Sequence, residues 1–228
     1  MQESRINAAG IPTRLYDPGG ARGLLLLGHG GGDLGKDSER FVGLCRRYSA
    51  ETGLAVVCID AIDHGERKPA GPLEPGVPSR WHSRTAPRMV TDWQDASMAL
   101  AGVGPALVYV GFSMGTIFGL PTVAAMPTIE VAVFVVSGVP GGDWFDDPPL
   151  EGLLLDAAAR ISRPEVLMVN MSRDELFPAT GTIAVFNAIP ARRKRLVFWD
   201  GGHSDWSAQA IGETIAFINA TRKATHSI

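Results

Sequence analysis

Six short runs, each apolar nearly throughout and separated by segments of helical length, restrict the fold of this chain more than any other feature. They are Gly23 to Gly28, Leu54 to Ile59, Ala106 to Gly111, Glu130 to Val136, Glu165 to Asn170 and Arg195 to Trp199. A strand with one face in water alternates apolar and polar side chains. A strand that does not alternate has both faces covered, the condition of strands in a parallel sheet flanked by helices. The segments between them, roughly Asp37 to Thr52, Ala86 to Ala101, Met114 to Met126, Ala179 to Ala188 and Asp205 to Arg222, have the length of crossover helices, and Pro178 suits a helix start. This alternation predicts an α/β fold: a mostly parallel central sheet with helices on both faces and no separate cap domain. At the N-terminus, Glu3 to Asn7 and Thr13 to Tyr16 are expected to form an antiparallel hairpin on the sheet edge, turning through Gly10 and Pro12.

Two segments interrupt the alternation. Ala61 to Thr85 is rich in Pro and Gly, and Gly138 to Ser162 carries Trp144, Phe145 and the run Asp146-Asp147-Pro148-Pro149. Open α/β sheets hold ligands beyond the carboxyl ends of their strands, so both are expected to cover the site. No internal repeat and no linker divides the chain, and one domain over residues 1–228 is expected.

Composition excludes several classes of partner. With 228 residues, 45% hydrophobic and 20% charged, the chain can bury a substantial core. A net charge of -3 gives no reason to expect nucleic acid or an anionic membrane as partner. The basic run Arg192 to Arg195 reads as a solvated turn leading into a strand. Met1 to Ala21 is too charged for a signal peptide or an anchor, so a cytoplasmic protein is expected. Monomer and homodimer are both compatible with the sequence. Cys45 and Cys58 read as small buried residues, not a disulfide framework. No metal or other cofactor is expected, since Asp63 and His64 are a lone adjacent pair without ligand spacing.

The chemistry is concentrated at strand ends. Gly111-Phe112-Ser113-Met114-Gly115 follows the strand Ala106 to Val110 directly and opens a helix, the context that gives G-x-S-x-G its meaning. A sharp strand-to-helix turn strains its central residue and projects the Ser113 hydroxyl, while the glycines two places away let two backbones pass. A serine hydroxyl needs a base, and His203, after the last strand, is the best placed of five histidines. His29 and His64 belong to glycine-containing motifs with other readings, His82 lies in the first insertion and His226 in the terminal tail. The imidazole needs a carboxylate, and Asp174, following Glu165 to Asn170, is preferred over Glu175 and Asp143; Asp200 reads as a turn residue. Gly28-His29-Gly30-Gly31-Gly32 supplies backbone donors for an oxyanion, with Gly31 and Met114 as the expected pair and His29 as a brace. This glycine run lacks the spacing of either common nucleotide-binding loop.

Together these motifs resemble the α/β-hydrolase superfamily over nearly the whole chain. Small members related to dienelactone hydrolases and bacterial carboxylesterases are similar in length, and Asp60-Ala61-Ile62-Asp63-His64-Gly65 is similar to their D-x-x-x-H-G stretch. Dienelactone hydrolases typically carry cysteine at the elbow, so Ser113 departs from them and favours an ordinary ester. Members with aspartate there cleave epoxides or carbon-halogen bonds, chemistry that serine does not support by the same route. The resemblance implies a serine hydrolase acting on a small-molecule ester with a small or medium acyl group. Thioesterase or acyltransferase chemistry would share the triad, and a non-catalytic ligand-binding homologue is the alternative of a different class. Trp81, Trp144 and Phe145, with Phe112 and Met114, are candidates for an apolar acyl site. Arg80, Arg84 and Arg88, at spacings of four, form either a solvated helix face or a carboxylate contact.

Overall fold

A single eight-stranded sheet organises the protein in the computed structural model, which describes residues 1–32, 35–68, 81–141 and 147–225. The strands are β1 (Gln2–Ala8), β2 (Ile11–Asp17), β3 (Leu24–Gly28), β4 (Ala55–Ile59), β5 (Ala106–Phe112), β6 (Val131–Val135), β7 (Glu165–Met171) and β8 (Lys194–Trp199). Their order is β1-β2-β4-β3-β5-β6-β7-β8. The expected hairpin is present: β1 pairs antiparallel with β2, which pairs antiparallel with β4, and every other neighbouring pair is parallel.

The six apolar runs are strands for the reason their composition implies. In β4, Ala55, Val57 and Ile59 enter one core layer while Val56 and Cys58 enter the other. Two helices, α1 (Glu39–Thr52) and α6 (Ala208–Thr225), cover one face through Phe41, Leu44, Tyr48, Ile211 and Ile215. The opposite face is covered by α2 (Trp81–Ala99), α3 (Met114–Ala125), α4 (Pro148–Ala158) and α5 (Ala179–Ala188), with Trp93, Ile117, Leu154 and Val185 in its core. Both cysteines are buried and free.

Two elements differ from the sequence reading. First, α2 begins at Trp81, ahead of Ala86, and runs through Pro87. Its first turn is capped from outside: the Asp147 carboxylate accepts from the Ser83 N–H (2.8 Å) and hydroxyl (2.6 Å). Second, the segment Gly138 to Ser162 contains α4, which is the crossover between the parallel strands β6 and β7 and not only a covering loop. Asp147 thus joins the two interruptions to each other.

Winding starts at β3 and moves outward in both directions, to β4 on one side and β5 on the other. Such a reversal leaves a crevice at the carboxyl ends of the two central strands. Gly28 ends β3 there, paired with Gly111 of β5. Among the described residues, no helix is long and apolar enough to cross a membrane.

Candidate active site

Ser113 sits between β5 and α3 with φ 51° and ψ -115°, a backbone conformation that side-chain-bearing residues rarely adopt. The turn holds because its flanks are tied down. The Ser113 N–H donates to Val135 O (3.0 Å), and the Thr116 N–H and hydroxyl both donate to Ser113 O at 2.7 Å. The two flanking glycines are required by space. A Cβ on Gly111 would lie 2.6 Å from Gly115 O, and one on Gly115 would overlap Gly28 O.

His203 reaches this hydroxyl from the loop after β8. Its Nε2 lies 2.8 Å from Ser113 Oγ, and its Nδ1 lies 2.9 and 3.0 Å from the carboxylate oxygens of Asp174. A proton on Nδ1 donated to Asp174 leaves Nε2 as the acceptor for the serine hydroxyl, the tautomer a general base needs. Asp174 follows β7; its side chain is fully buried, and its Oδ1 also accepts from the N–H groups of Leu176 and Phe177, both at 2.9 Å. These bonds set the rotamer that presents both carboxylate oxygens to the imidazole. Three residues from three strand ends, expected to converge, are in continuous hydrogen-bond contact.

The competitors are engaged elsewhere. Glu175 accepts from the backbone N–H of His203 (3.1 Å), which positions the histidine without touching its ring. Asp200 is exposed and pairs with Arg173 and the Ser172 hydroxyl. Asp143 lies outside the described residues, as do Trp144, Phe145, Arg80 and His226, and the side chain of Trp81 is likewise outside them. Arg88 is paired with Asp92, while Arg84 is exposed on the same helix. Among the described residues, no group of three or more His, Cys, Asp or Glu could hold a metal ion.

The glycine-rich loop lies against the serine. The position a Cβ would take on Gly30 is 3.6 Å from Ser113 Cβ, and Gly31, the next residue out, is exposed with nothing within 4 Å of its own. Met114 is the first residue of α3, so its N–H has no acceptor within the helix. His29 braces the loop: its Nδ1 lies 2.6 Å from Gly30 O, and its Nε2 accepts from the Ala61 N–H at 2.8 Å. Both bonds together require the neutral ring. Burial pushes the His29 pKa down to about 4, against an opposing hydrogen bond to Gly30 and the charge of Asp60.

This shift has a sign that can be measured. An unfolded chain takes up the proton near pH 6.5, whereas the fold resists it until about pH 4. The unfolded state therefore binds more protons between those values, and the stability contributed by neutral His29 is complete above pH 6.5 and lost as pH falls toward 4. The loss is roughly 3 kcal/mol across that window. Urea unfolding at pH 7 and pH 4.5 should show a smaller acid-induced loss in His29→Gln than in the parent; equal losses would show that His29 is not the group that titrates.

Sequence reasoning missed the supports beneath the loop. Lys36 is buried with its ammonium 2.6 Å from Asp60 Oδ2 and 2.5 Å from Glu66, and Asp60 also accepts from the N–H groups of Lys36 and Glu66. A Cβ on Gly65 would overlap Asp60. Asp60 and Gly65 are the outer members of the D-x-x-x-H-G stretch, so a signal was present; Lys36 carried none. Nor did Arg40, whose guanidinium stacks 3.1 Å above the Trp206 ring and donates to Ser204 O.

No family model and no curated protein matches the chain. Solved structures do. A cold-adapted esterase from an Arctic intertidal metagenomic library is 25% identical, with 96% of this chain and 92% of that one covered and a TM-score of 0.79. TT1662 from Thermus thermophilus is 21% identical over 96% and 97% of the two chains, with a TM-score of 0.77. A Pyrococcus furiosus esterase is 13% identical over 98% and 90%, with a TM-score of 0.71.

Proposed function

The chain has an α/β-hydrolase fold, and we propose that it is a carboxylesterase-like serine hydrolase working through Ser113, His203 and Asp174. One observation carries the reading: a serine in a strained turn donates its hydroxyl to an imidazole whose other nitrogen is held by a buried carboxylate. The esterase named among the similar structures supports the same substrate class.

In this mechanism Ser113 Oγ bonds to the ester carbonyl carbon as its proton passes to His203 Nε2. The carbonyl electron pair moves onto oxygen, where the N–H groups of Gly31 and Met114 donate to it. The intermediate collapses, the C–O bond to the alcohol breaks, and His203 returns the proton to the leaving oxygen. Water then attacks the acyl-serine by the same steps and releases the acid. Asp174 stays ionised and stabilises the imidazolium at both stages. The proposal takes the acyl group to be small or medium in size, with Trp81, Trp144 and Phe145 as the candidates to contact it.

Treatment of the purified protein with a fluorophosphonate probe, followed by peptide mass spectrometry, is expected to place one label on Ser113. A panel of 4-nitrophenyl esters and acyl thioesters of graded length should show hydrolysis that falls with increasing acyl length. Absence of both labelling and hydrolysis would overturn the assignment.

A further inference from the structure

We propose that Arg40 is a specificity residue that binds a carboxylate on the alcohol portion of the substrate, which makes this a hydrolase for esters with an anionic leaving group. The inference rests on the hydrolase reading above.

Arg40 stands in the first turn of α1, the helix that follows the glycine-rich loop. Phe41, its neighbour, lies against that loop: its ring tip is 3.7 Å from the place of a Cβ on Gly30. The Arg40 side chain crosses to the other wall of the site, donates to Ser204 O (3.1 Å) beside His203, and sits over the Trp206 ring at 3.1 Å. Trp206 in turn packs 4.9 Å from the ring of Phe112, the residue before Ser113. Arg40 thus spans the rim between the oxyanion loop and the histidine loop.

No ion pair balances its charge among the described residues. Among the described residues, no carboxylate comes within 4.0 Å of it, whereas Arg46, Arg47, Arg67, Arg173 and Arg195 all have such partners. The near carboxylate in sequence to Ser204, Asp205, is turned back onto the Gly202 N–H at 2.8 Å. The first turn of a helix is also the end where a cation is disfavoured by the backbone dipoles. Partial burial lowers the Arg40 pKa, a further sign that its charge lacks compensation. A guanidinium held by the Trp206 ring and one carbonyl, with no carboxylate partner among the described residues and N–H groups to spare, is placed to receive an anion.

The direction follows from the mechanism. His203 must pass its proton to the departing oxygen, so the alcohol portion leaves along the imidazole, on the side where the histidine loop and Arg40 stand. The acyl portion stays with Ser113.

The test compares 4-(butanoyloxy)benzoate with its methyl ester, which differ in the charge of the leaving group. The ratio of their kcat/KM values in the parent and in Arg40→Gln cancels their intrinsic reactivity. The ratio is expected to fall about fivefold in the variant, the size of a solvent-exposed ion pair. In the parent, raising the ionic strength should shrink the ratio, a readout that needs no variant to fold. A ratio unchanged by both Arg40→Gln and salt, with the methyl ester still hydrolysed, overturns the role of Arg40 and leaves the hydrolase standing. Failure of the parent to hydrolyse either ester or to take up fluorophosphonate removes the hydrolase reading instead.

Discussion

Ser113→Ala is expected to lower the turnover of a short aryl ester by on the order of 10⁵, while the protein unfolds at nearly the same urea concentration as the parent. Among the described residues, the hydroxyl bonded to His203 Nε2 is that of Ser113, at 2.8 Å. The substitution removes one oxygen from a half-buried position and leaves the turn's backbone bonds to Val135, Thr116 and their neighbours intact. Ser113→Gly separates the function of this residue from its cost. A Cβ at φ 51° and ψ -115° is unfavourable by about 1 to 3 kcal/mol, and glycine removes it, against roughly 0.5 to 1 kcal/mol of added chain entropy in the unfolded state. Glycine should therefore give a protein as inactive as the alanine variant and more resistant to urea by about 1 kcal/mol. An alanine variant with more than a tenth of parental turnover would remove Ser113 from the chemistry.

That opposition between stability and activity explains why the elbow was legible in the sequence. A strained serine is recognisable only by what permits the strain, and the glycines at 111 and 115 are forced by backbone approaches that no side chain fits. The strands were legible for a related reason: burial on both faces leaves a composition that no exposed segment shares. What escaped was decided by contacts between distant parts of the chain. The run Asp146-Asp147-Pro148-Pro149 reads as a loop by composition, yet two prolines fit the first turn of a helix, where the N–H they lack has no acceptor to miss. The early start of α2 depends on Asp147, 64 positions from the Ser83 it caps. The seat of Arg40 depends on Ser204, 164 positions away. Periodicity carries no information about such partners.

The acid of the triad gives the second large effect. Asp174→Asn is expected to reduce kcat by about 10⁴ with KM little changed and the fold retained. The reason lies in the two bonds at 2.9 Å from the Leu176 and Phe177 N–H groups to Oδ1. Asparagine can satisfy both only by placing its carbonyl oxygen there, which turns its NH₂ toward Nδ1 of His203. Two donors cannot face each other, so the imidazole must shift its proton to Nε2, and a protonated Nε2 cannot accept from Ser113. The hydroxyl loses its base although every residue remains in place. Glu175→Gln provides the contrast: it keeps an oxygen for the His203 N–H and leaves the ring's carboxylate untouched, so kcat should change by less than about tenfold. If the two variants lost activity to the same degree, the distinction between a carboxylate that orients the ring and one that holds the loop would fail, and Asp174 would have no privileged part in the proton transfer.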